Sequence, residues 1–125
     1  MKIYLAVGIG GMVGATGRYG ISILFWTNSG FPYATLIANL LGCFLLSFLL
    51  HHDSIKRTLS PEVFAALGTG MIGAFTTFST FAVETVELSD ISILLAGSYI
   101  VLSILGGLLF CYFGFKLALK KRVTL

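Results

Sequence analysis

The segment GAFTTFSTFAVE, residues 73–84, concentrates hydroxyl groups in a stretch that is otherwise apolar enough to cross a membrane. Lipid offers these groups no hydrogen-bond partner, so they need partners from protein, water or an ion. Phe78 and Phe81 are three residues apart and share one helix face, while Thr77, Thr80 and Glu84 share another. Most phenylalanine pairs at this spacing are packing alone, but the density of hydroxyls and the nearby glycines weaken that interpretation here.

Glycines precede this segment at Gly68, Gly70 and Gly73, and Thr76 and Thr77 follow them. Glycine weakens a helix, and a threonine hydroxyl competes with the helix for backbone hydrogen bonds. Backbone that leaves a helix at membrane depth is tolerated where it lines a cavity or binds an ion. The sequence therefore predicts that the third apolar helix is broken near its middle.

Two further apolar runs carry neutral hydrogen-bonding groups. In PYATLIANLLGCFLLSFLL, Thr35, Asn39 and Gly42 fall on one face. An amide within a membrane must face protein or water, so Asn39 is either an interhelical hydrogen-bond partner or a donor aimed at a ligand. Tyr99 and Ser103 lie one turn apart on one face of the last apolar run.

The first apolar run has a ridge of small residues at four-residue steps, Ala6, Gly10 and Gly14. Without bulky side chains, another helix can approach closely there. Arg18 continues the ridge and lies about 24 Å from Lys2 along a helix. Arg18 either extends to the membrane interface or borders a path for an anion, and the composition leaves these alternatives about even.

The elements that must position these groups are membrane helices. The chain has 125 residues, of which 57% are hydrophobic and 10% charged; its mean hydropathy is +0.98. This composition is too apolar for a soluble domain. Four apolar runs each approach the roughly 20 residues that cross hydrocarbon. They lie at about 3–26, 32–50, 63–83 and 91–115.

Short linkers separate the runs, at TNSG 27–30, HHDSIKRTLSPE 51–62 and ELSD 87–90. Ser60 before Pro61 is expected to cap the third helix. The predicted fold is therefore a single domain, residues 1–125, of an all-α integral membrane protein with four transmembrane helices.

Lysine and arginine are distributed unequally between the two sides that four crossings create. One side, with both termini and the 51–62 linker, carries seven, and the linkers of the other side carry none. The seven are Lys2, Lys56, Arg57, Lys116, Lys120, Lys121 and Arg122. Positive-inside bias predicts both termini in the cytoplasm. Since these charges lie at the ends of apolar runs and form no patch, the net charge of +3 does not indicate a nucleic-acid partner.

Catalysis is not expected, because no residues resemble a nucleophile with its base. Cys43 and Cys111 fall inside apolar runs without C-x-x-C spacing, and we expect packed free thiols. His51 and His52 lie in a linker without a second cluster of metal ligands. The protein is therefore predicted not to be an enzyme.

Three segments together resemble the bacterial fluoride channel family known as Fluc or CrcB: GGMVGATGRYG at 10–20, ATLIANLLG at 34–42 and GAFTTFSTFAVE at 73–84. The resemblance covers the whole chain, with four helices in matching order. It implies a multi-pass protein of the bacterial inner (plasma) membrane that exports fluoride passively and lowers its cytoplasmic concentration. It also implies a dimer of two antiparallel subunits, with two fluoride pathways and a central sodium ion.

Carried over by position, the resemblance assigns Asn39 as the pore amide. Phe78 and Phe81 would turn their ring edges toward fluoride. Tyr99 and Ser103 would belong to a polar track along the pathway.

The remaining assignments from the resemblance lie beside this track. Thr80 and Glu84 would be near it, and Arg18 would lie at its vestibule. A structural sodium ion would bind the backbone carbonyls of Gly73 and Thr76. One position departs from the family pattern, because Gly107 stands where a second track serine is expected.

Two other functions compete with a fluoride channel. A small dual-topology multidrug/proton antiporter needs an acid within the membrane, for which Glu84 is the only candidate. An assembly subunit without transport is disfavoured by the convergent donors. The unequal charge also conflicts with a dimer whose two copies insert in opposite directions. The partner is expected to be a second copy or a related inverted subunit, and the unequal charge favours the related subunit.

Overall fold

The computed structural model describes residues 1–26 and 28–120, and the elements within them are all helical. The α-helices are α1 (Lys2–Leu24), α2 (Tyr33–His51), α3 (Asp53–Thr58), α4 (Pro61–Ala65), α5 (Gly73–Phe75), α6 (Ser79–Ile91) and α7 (Ile93–Lys120), and a π-helical segment, Ala66–Ile72, joins α4 to α5. The all-α prediction is confirmed. Thr27 of the first predicted linker and two of the seven basic residues, Lys121 and Arg122, lie outside the described residues.

Three helical stretches are long and apolar enough to cross a membrane, namely Tyr33–His51, Pro61–Ile91 and Ile93–Lys120. The second of these runs from α4 through α6. α1 has 23 residues, a length of about 34 Å, but its glycines and Arg18 dilute its apolar side chains. The structure therefore supports a membrane protein with three clear candidate spans, and α1 as a fourth span stays a prediction.

The predicted ridge of small residues on α1 lies against the third stretch. A Cβ atom at Gly10 would meet the carbonyl oxygen of Ala66, and one at Gly14 would meet the backbone of Met71. Both glycines are buried. Later residues of α1 contact later residues of the third stretch, so these two elements run in the same direction, in close backbone contact.

α2 and α7 form the second packed pair. A Cβ at Gly107 would lie 3.4 Å from Cys43 Sγ, and Gly114 lies against the backbone of Phe44 and Phe48. These contacts also rise together along both helices, so α2 and α7 run in the same direction. Both oppose the third stretch, since Gly68 lies beside the later part of α2.

The third stretch is interrupted at residues 76–78. Thr76 has φ −84° and ψ 160°, which is extended backbone, and the helix resumes at Ser79. The predicted break near the middle of this helix is therefore present. The wide turns of Ala66–Ile72 before it were not predicted, although π-helical turns are frequent beside functional sites.

The predicted linker at 87–90 is wrong. These residues form the C-terminal part of α6, and the chain turns at Ser92. Leu88 is buried, while its polar neighbours are exposed. The polar residues therefore lie on the outer face of the helix and do not end it. The Ser92 hydroxyl accepts a hydrogen bond from the Leu95 N–H at 3.4 Å and caps α7.

The linker at 51–62 contains the short helix α3, which ends before the predicted cap. Ser60 caps α4 as expected: its hydroxyl accepts a hydrogen bond from the Val63 N–H at 3.3 Å, and Pro61 is the first helical residue. The expectation of two packed thiols is only half met. Cys43 is half-buried, whereas Cys111 is exposed on the single subunit, and both thiols are free.

Candidate functional site

Glu84 of α6 is held by hydroxyl groups from two neighbouring helices. Thr35 Oγ1 on α2 donates to Oε1 at 2.8 Å, and the Tyr99 hydroxyl on α7 donates to Oε2 at 2.7 Å. Tyr99 has no exposed surface, and Thr35 is also buried. Because each carboxylate oxygen accepts a hydroxyl hydrogen bond, the acid is fixed in place and connects α2, α6 and α7.

Thr35 is a site residue that the sequence analysis did not assign. Its only signal was a position one turn before Asn39 on the same face of α2. Nothing in the sequence indicated that Glu84, far along the chain, would be its partner.

A cavity of about 370 Å³ opens beside Glu84. We call it the arginine cavity. Its polar lining residues are Arg18, Ser22, Thr35, Thr77, Thr80 and Glu84, and aromatic rings supply much of the remainder. The half-buried Arg18 thus lies in the same cleft as Glu84 and Thr80. This location fits a residue that borders an ion path, and that role stays a prediction.

A second cleft, the phenylalanine groove, lies next to the first. Its lining includes Asn39, Gly73, Thr76, Thr77, Phe78, Phe81 and Ser103. The rings of Phe78 and Phe81 have centroids 5.9 Å apart, so the predicted shared face is present. Phe81 contacts the ring of Tyr99 at 5.1 Å. Phe78 has 81% of its surface exposed, so its ring lies on the surface of the subunit.

Two residues join the arginine cavity to the phenylalanine groove. Thr77 lines both clefts. The Tyr99 hydroxyl bonds Glu84 in the first, while its ring contacts Phe81 in the second. All eight predicted pathway residues therefore lie in or between two adjoining clefts. They are Arg18, Asn39, Phe78, Thr80, Phe81, Glu84, Tyr99 and Ser103.

Asn39 pairs with the backbone of Thr77 through both ends of its amide. Nδ2 donates to the Thr77 carbonyl at 2.9 Å, and the Thr77 N–H donates to Oδ1 at 2.8 Å. An amide nitrogen carries two hydrogens, so one donor of Asn39 remains for another partner. The sequence analysis left open an interhelical hydrogen bond or a ligand donor, and the structure contains the first.

Thr77 is not part of the helical face on which the sequence placed it. It lies before the start of α6, where its hydroxyl accepts from the Thr80 N–H at 3.2 Å and donates to Thr80 Oγ1 at 3.0 Å. Thr77 therefore acts as a side-chain cap for α6. Its grouping with Thr80 and Glu84 persists only because all three line the arginine cavity.

At the break, the carbonyls of Gly73 and Thr76 lack the backbone hydrogen bonds that a continuous helix would give them. In a continuous helix the Gly73 carbonyl would accept from the Thr77 N–H, which here donates to Asn39. The Thr76 carbonyl would accept from the Thr80 N–H, which here donates to Thr77 Oγ1. The two carbonyls predicted to hold sodium therefore lack their helical partners, and the Gly73 carbonyl accepts only a long hydrogen bond of 3.5 Å, from the Thr76 hydroxyl, among the bonds of the described residues.

Ser103 lines the phenylalanine groove, but the position one turn later offers no hydroxyl. Gly107 is buried, with Cys43 Sγ in ordinary contact distance of where a side chain would begin. The sulfur of Cys43 therefore lies beside the place where the family pattern expects a second serine.

Comparison with known proteins gives a consistent result. Residues 5–115 match the family model described as "CrcB-like protein, Camphor Resistance (CrcB)". The chain is 45% identical to "Fluoride-specific ion channel FluC 1" of Bacillus cereus (strain ATCC 10987 / NRS 248), over 98% of this chain and 93% of the relative. It is 49% identical to the protein of the same name from Desulfitobacterium hafniense (strain Y51), over 86% of this chain and 95% of the relative. These relatives give the antiporter alternative no support.

Proposed function

This chain belongs to the CrcB-like protein family, and from that premise we propose that it is a fluoride-specific ion channel of the bacterial inner membrane. The observation that carries the proposal is similarity, over nearly the full chain, to proteins named as fluoride-specific ion channels. The geometry of the two clefts fits this function. The chain is a membrane protein and not an enzyme.

Fluoride must exchange its hydration shell for protein donors that hold it weakly enough to be released. Arg18 in the arginine cavity would attract the anion, and the Thr80 hydroxyl would be available as a donor. Glu84 opposes an anion, but both of its oxygens accept hydroxyl hydrogen bonds, and Arg18 in the same cleft offsets its charge. The two hydroxyl hydrogen bonds and the nearby arginine would together allow an acid to line an anion path.

Beyond Tyr99 the path would continue through the phenylalanine groove. The edge of a phenyl ring carries partial positive charge, so Phe81 and Phe78 can face an anion without a fixed cation. Ser103 contributes a hydroxyl to the same groove. Neutral donors of this kind suit conduction better than a lysine, which would bind the ion too tightly for rapid release.

We further propose that α1 is a fourth membrane span and that two subunits pair in antiparallel orientation. The exposed Phe78 ring and the open side of the phenylalanine groove support a second protein surface there. A path lined by polar groups and a broken helix needs protein or water on every side, since lipid cannot satisfy them.

A structural sodium ion is also part of the proposal. Backbone carbonyls released from a broken helix are suitable ligands for sodium, and the Gly73 and Thr76 carbonyls fit this description. When bound, the ion would accept electron density from these carbonyl oxygens and bridge the broken helices of the two subunits at their interface. Fluoride itself would move along the side chains described above.

The direct test is fluoride efflux from liposomes that contain the purified protein. With a potassium ionophore present to balance charge, we expect fluoride release that empty liposomes lack, and almost no release of chloride. Proton-driven uptake of a cationic drug without fluoride release would replace the channel by an antiporter.

A further inference from the structure

We propose that Asn39 is a positioning residue, which acts on the ion path through the backbone of Thr77. Its two hydrogen bonds to that one residue, at 2.9 and 2.8 Å, fix where the broken helix resumes. For the path itself, the inference rests on the proposed fluoride channel. The pairing of Asn39 with the break does not depend on it.

The break leaves the Thr77 backbone without the partners that a continuous helix provides. Its N–H no longer reaches Gly73, and the first backbone bond of the resumed helix runs from the Ala82 N–H to the carbonyl of Phe78, one residue beyond Thr77. Both polar groups of Thr77 lie where lipid or apolar side chains cannot satisfy them. Asn39 supplies a partner to each.

An amide is the side chain suited to this task, because it offers one donor and one acceptor side by side. An ionised carboxylate has no donor, and a hydroxyl carries its donor and acceptor on a single atom, whereas the amide presents them on two neighbouring atoms. Asn39 lies on α2 next to Ala38, which is fully buried. The pair therefore ties the break to a helix that is itself held firmly in the subunit.

Gly42, one turn further along the same face of α2, supports the inference independently. A Cβ atom at Gly42 would collide with the methyl group of Thr76. On α2, Gly42 therefore leaves room for the Thr76 side chain, and the Asn39 amide hydrogen-bonds the Thr77 backbone. The two positions together fit the extended backbone of the break against α2.

The consequence concerns Phe78, the next residue along the chain. Its ring is largely exposed and lies beside the ring of Phe81. Side-chain packing alone therefore constrains the Phe78 ring weakly. The direction in which it leaves the backbone is set by the peptide that Asn39 holds.

Hydrogen exchange of the Thr77 amide tests the pairing without reference to transport. In the full-length protein, Asn39→Ala should make this amide exchange about tenfold faster, while amides within α1 and α7 keep their rates. Tyr99→Phe is the matched control, because it removes a hydrogen bond to Glu84 and leaves the Asn39–Thr77 pair intact. An unchanged Thr77 rate in Asn39→Ala would overturn the proposal.

A second experiment links the pair to flux and keeps every side chain. Replacing the Thr77 peptide nitrogen by an ester oxygen removes the N–H that Asn39 accepts. If Asn39 acts through Thr77, this change and Asn39→Ala each lower fluoride flux, and together they lower it no further than the stronger one. Multiplying effects would instead mean that Asn39 acts on the ion directly, and the proposal would fail.

The ester at Ala96 is the control for this cycle. It removes the N–H that donates to the Ser92 carbonyl at the start of α7, away from Asn39 and Thr77, so any effect it has should multiply with that of Asn39→Ala. If no version of the protein conducts fluoride, the proposed function fails alone, and the exchange rate of the Thr77 amide still decides whether the pair exists.

Discussion

At the scale of single residues, Phe78 and Phe81 differ in burial, so the effect of a ring on fluoride flux can be distinguished from its effect on packing. Phe81 is half-buried against Tyr99, so its ring has a packing role as well. Phe78 is 81% exposed and gains little from packing within the subunit. A large functional effect at Phe78 would therefore be difficult to attribute to lost burial.

We predict that Phe78→Ile and Phe81→Ile each abolish most of the fluoride flux. Isoleucine keeps an apolar side chain of similar bulk but lacks a ring edge with partial positive charge. Flux from proteoliposomes is the measurement, and size-exclusion chromatography checks that the variant is folded. Phe113→Ile, at an exposed ring near the end of α7, is the matched control and should retain flux. Full flux in both Phe78→Ile and Phe81→Ile would mean that these rings contribute only to packing.

The sequence largely predicted which polar residues need hydrogen-bond partners, but it did not predict which residues those partners are. An amide, hydroxyls and an acid inside apolar runs must have partners, and this drew attention to Asn39, Tyr99 and Glu84, whose place in a pathway the family resemblance then assigned. The pairing of Glu84 with Thr35 depends on which faces of α2 and α6 meet. That relation is a property of packing between helices, which the period of one helix does not specify.

At the scale of elements, the broken helix depends on close contact with α1. The predicted linker at 87–90 failed because exposed polar side chains do not end a helix, whereas the break was predictable because glycine and threonine weaken helices locally. The fit of α1 against the third stretch likewise follows from small residues. Gly14 lies directly against the backbone of Met71.

We predict that Gly14→Ala destabilises the protein by about 1–3 kcal/mol, the usual cost of overpacking. The added methyl group would meet backbone atoms of Met71, which cannot move aside as a flexible side chain can. Gly8→Ala on the same helix is the control, since nothing lies within 4 Å of its added carbon. Denaturant unfolding in detergent measures both. Equal stability of the two variants would contradict the close approach of α1.

The proposed sodium ion also belongs to the scale of elements, because it would bridge the broken helices of two subunits at their interface. We predict that replacing sodium by a large organic cation at constant ionic strength loosens the dimer. The carbonyls of Gly73 and Thr76 would then lose their shared partner. The dimer fraction on dilution is the measurement, with potassium as a second cation for comparison. Dimer stability that is the same in sodium and in the organic cation would count against the site.

At the scale of the whole molecule, the described basic residues of the loops and ends gather at one end. The start of α1, the helix α3 and the end of α7 meet there, because His51 contacts Phe115 and the start of α1 runs beside α4. Lys2, Lys56, Arg57, Lys116 and Lys120 belong to this end. Positive-inside bias acts on such an arrangement and favours one orientation.

We therefore predict that this chain, expressed alone, inserts mainly with both termini in the cytoplasm. Its natural antiparallel partner would then be a related subunit of opposite orientation, although purified chains can still pair with each other. Reporter fusions at the two termini measure the orientation, and Lys56→Gln with Arg57→Gln should shift it toward an even mixture. Equal inside and outside signals for the unaltered chain would rule out a fixed orientation.

The central claim is that this protein is a fluoride-specific channel, and the reversal potential of its current tests that claim most directly. The protein is incorporated into a planar bilayer with a tenfold fluoride gradient, equal pH on both sides and chloride as the other anion. A channel selective for fluoride predicts reversal near 59 mV in magnitude, about the value for a tenfold gradient of a monovalent ion, with no shift when a pH or chloride gradient is added. Reversal near zero, or a potential that follows the pH gradient, would contradict the account.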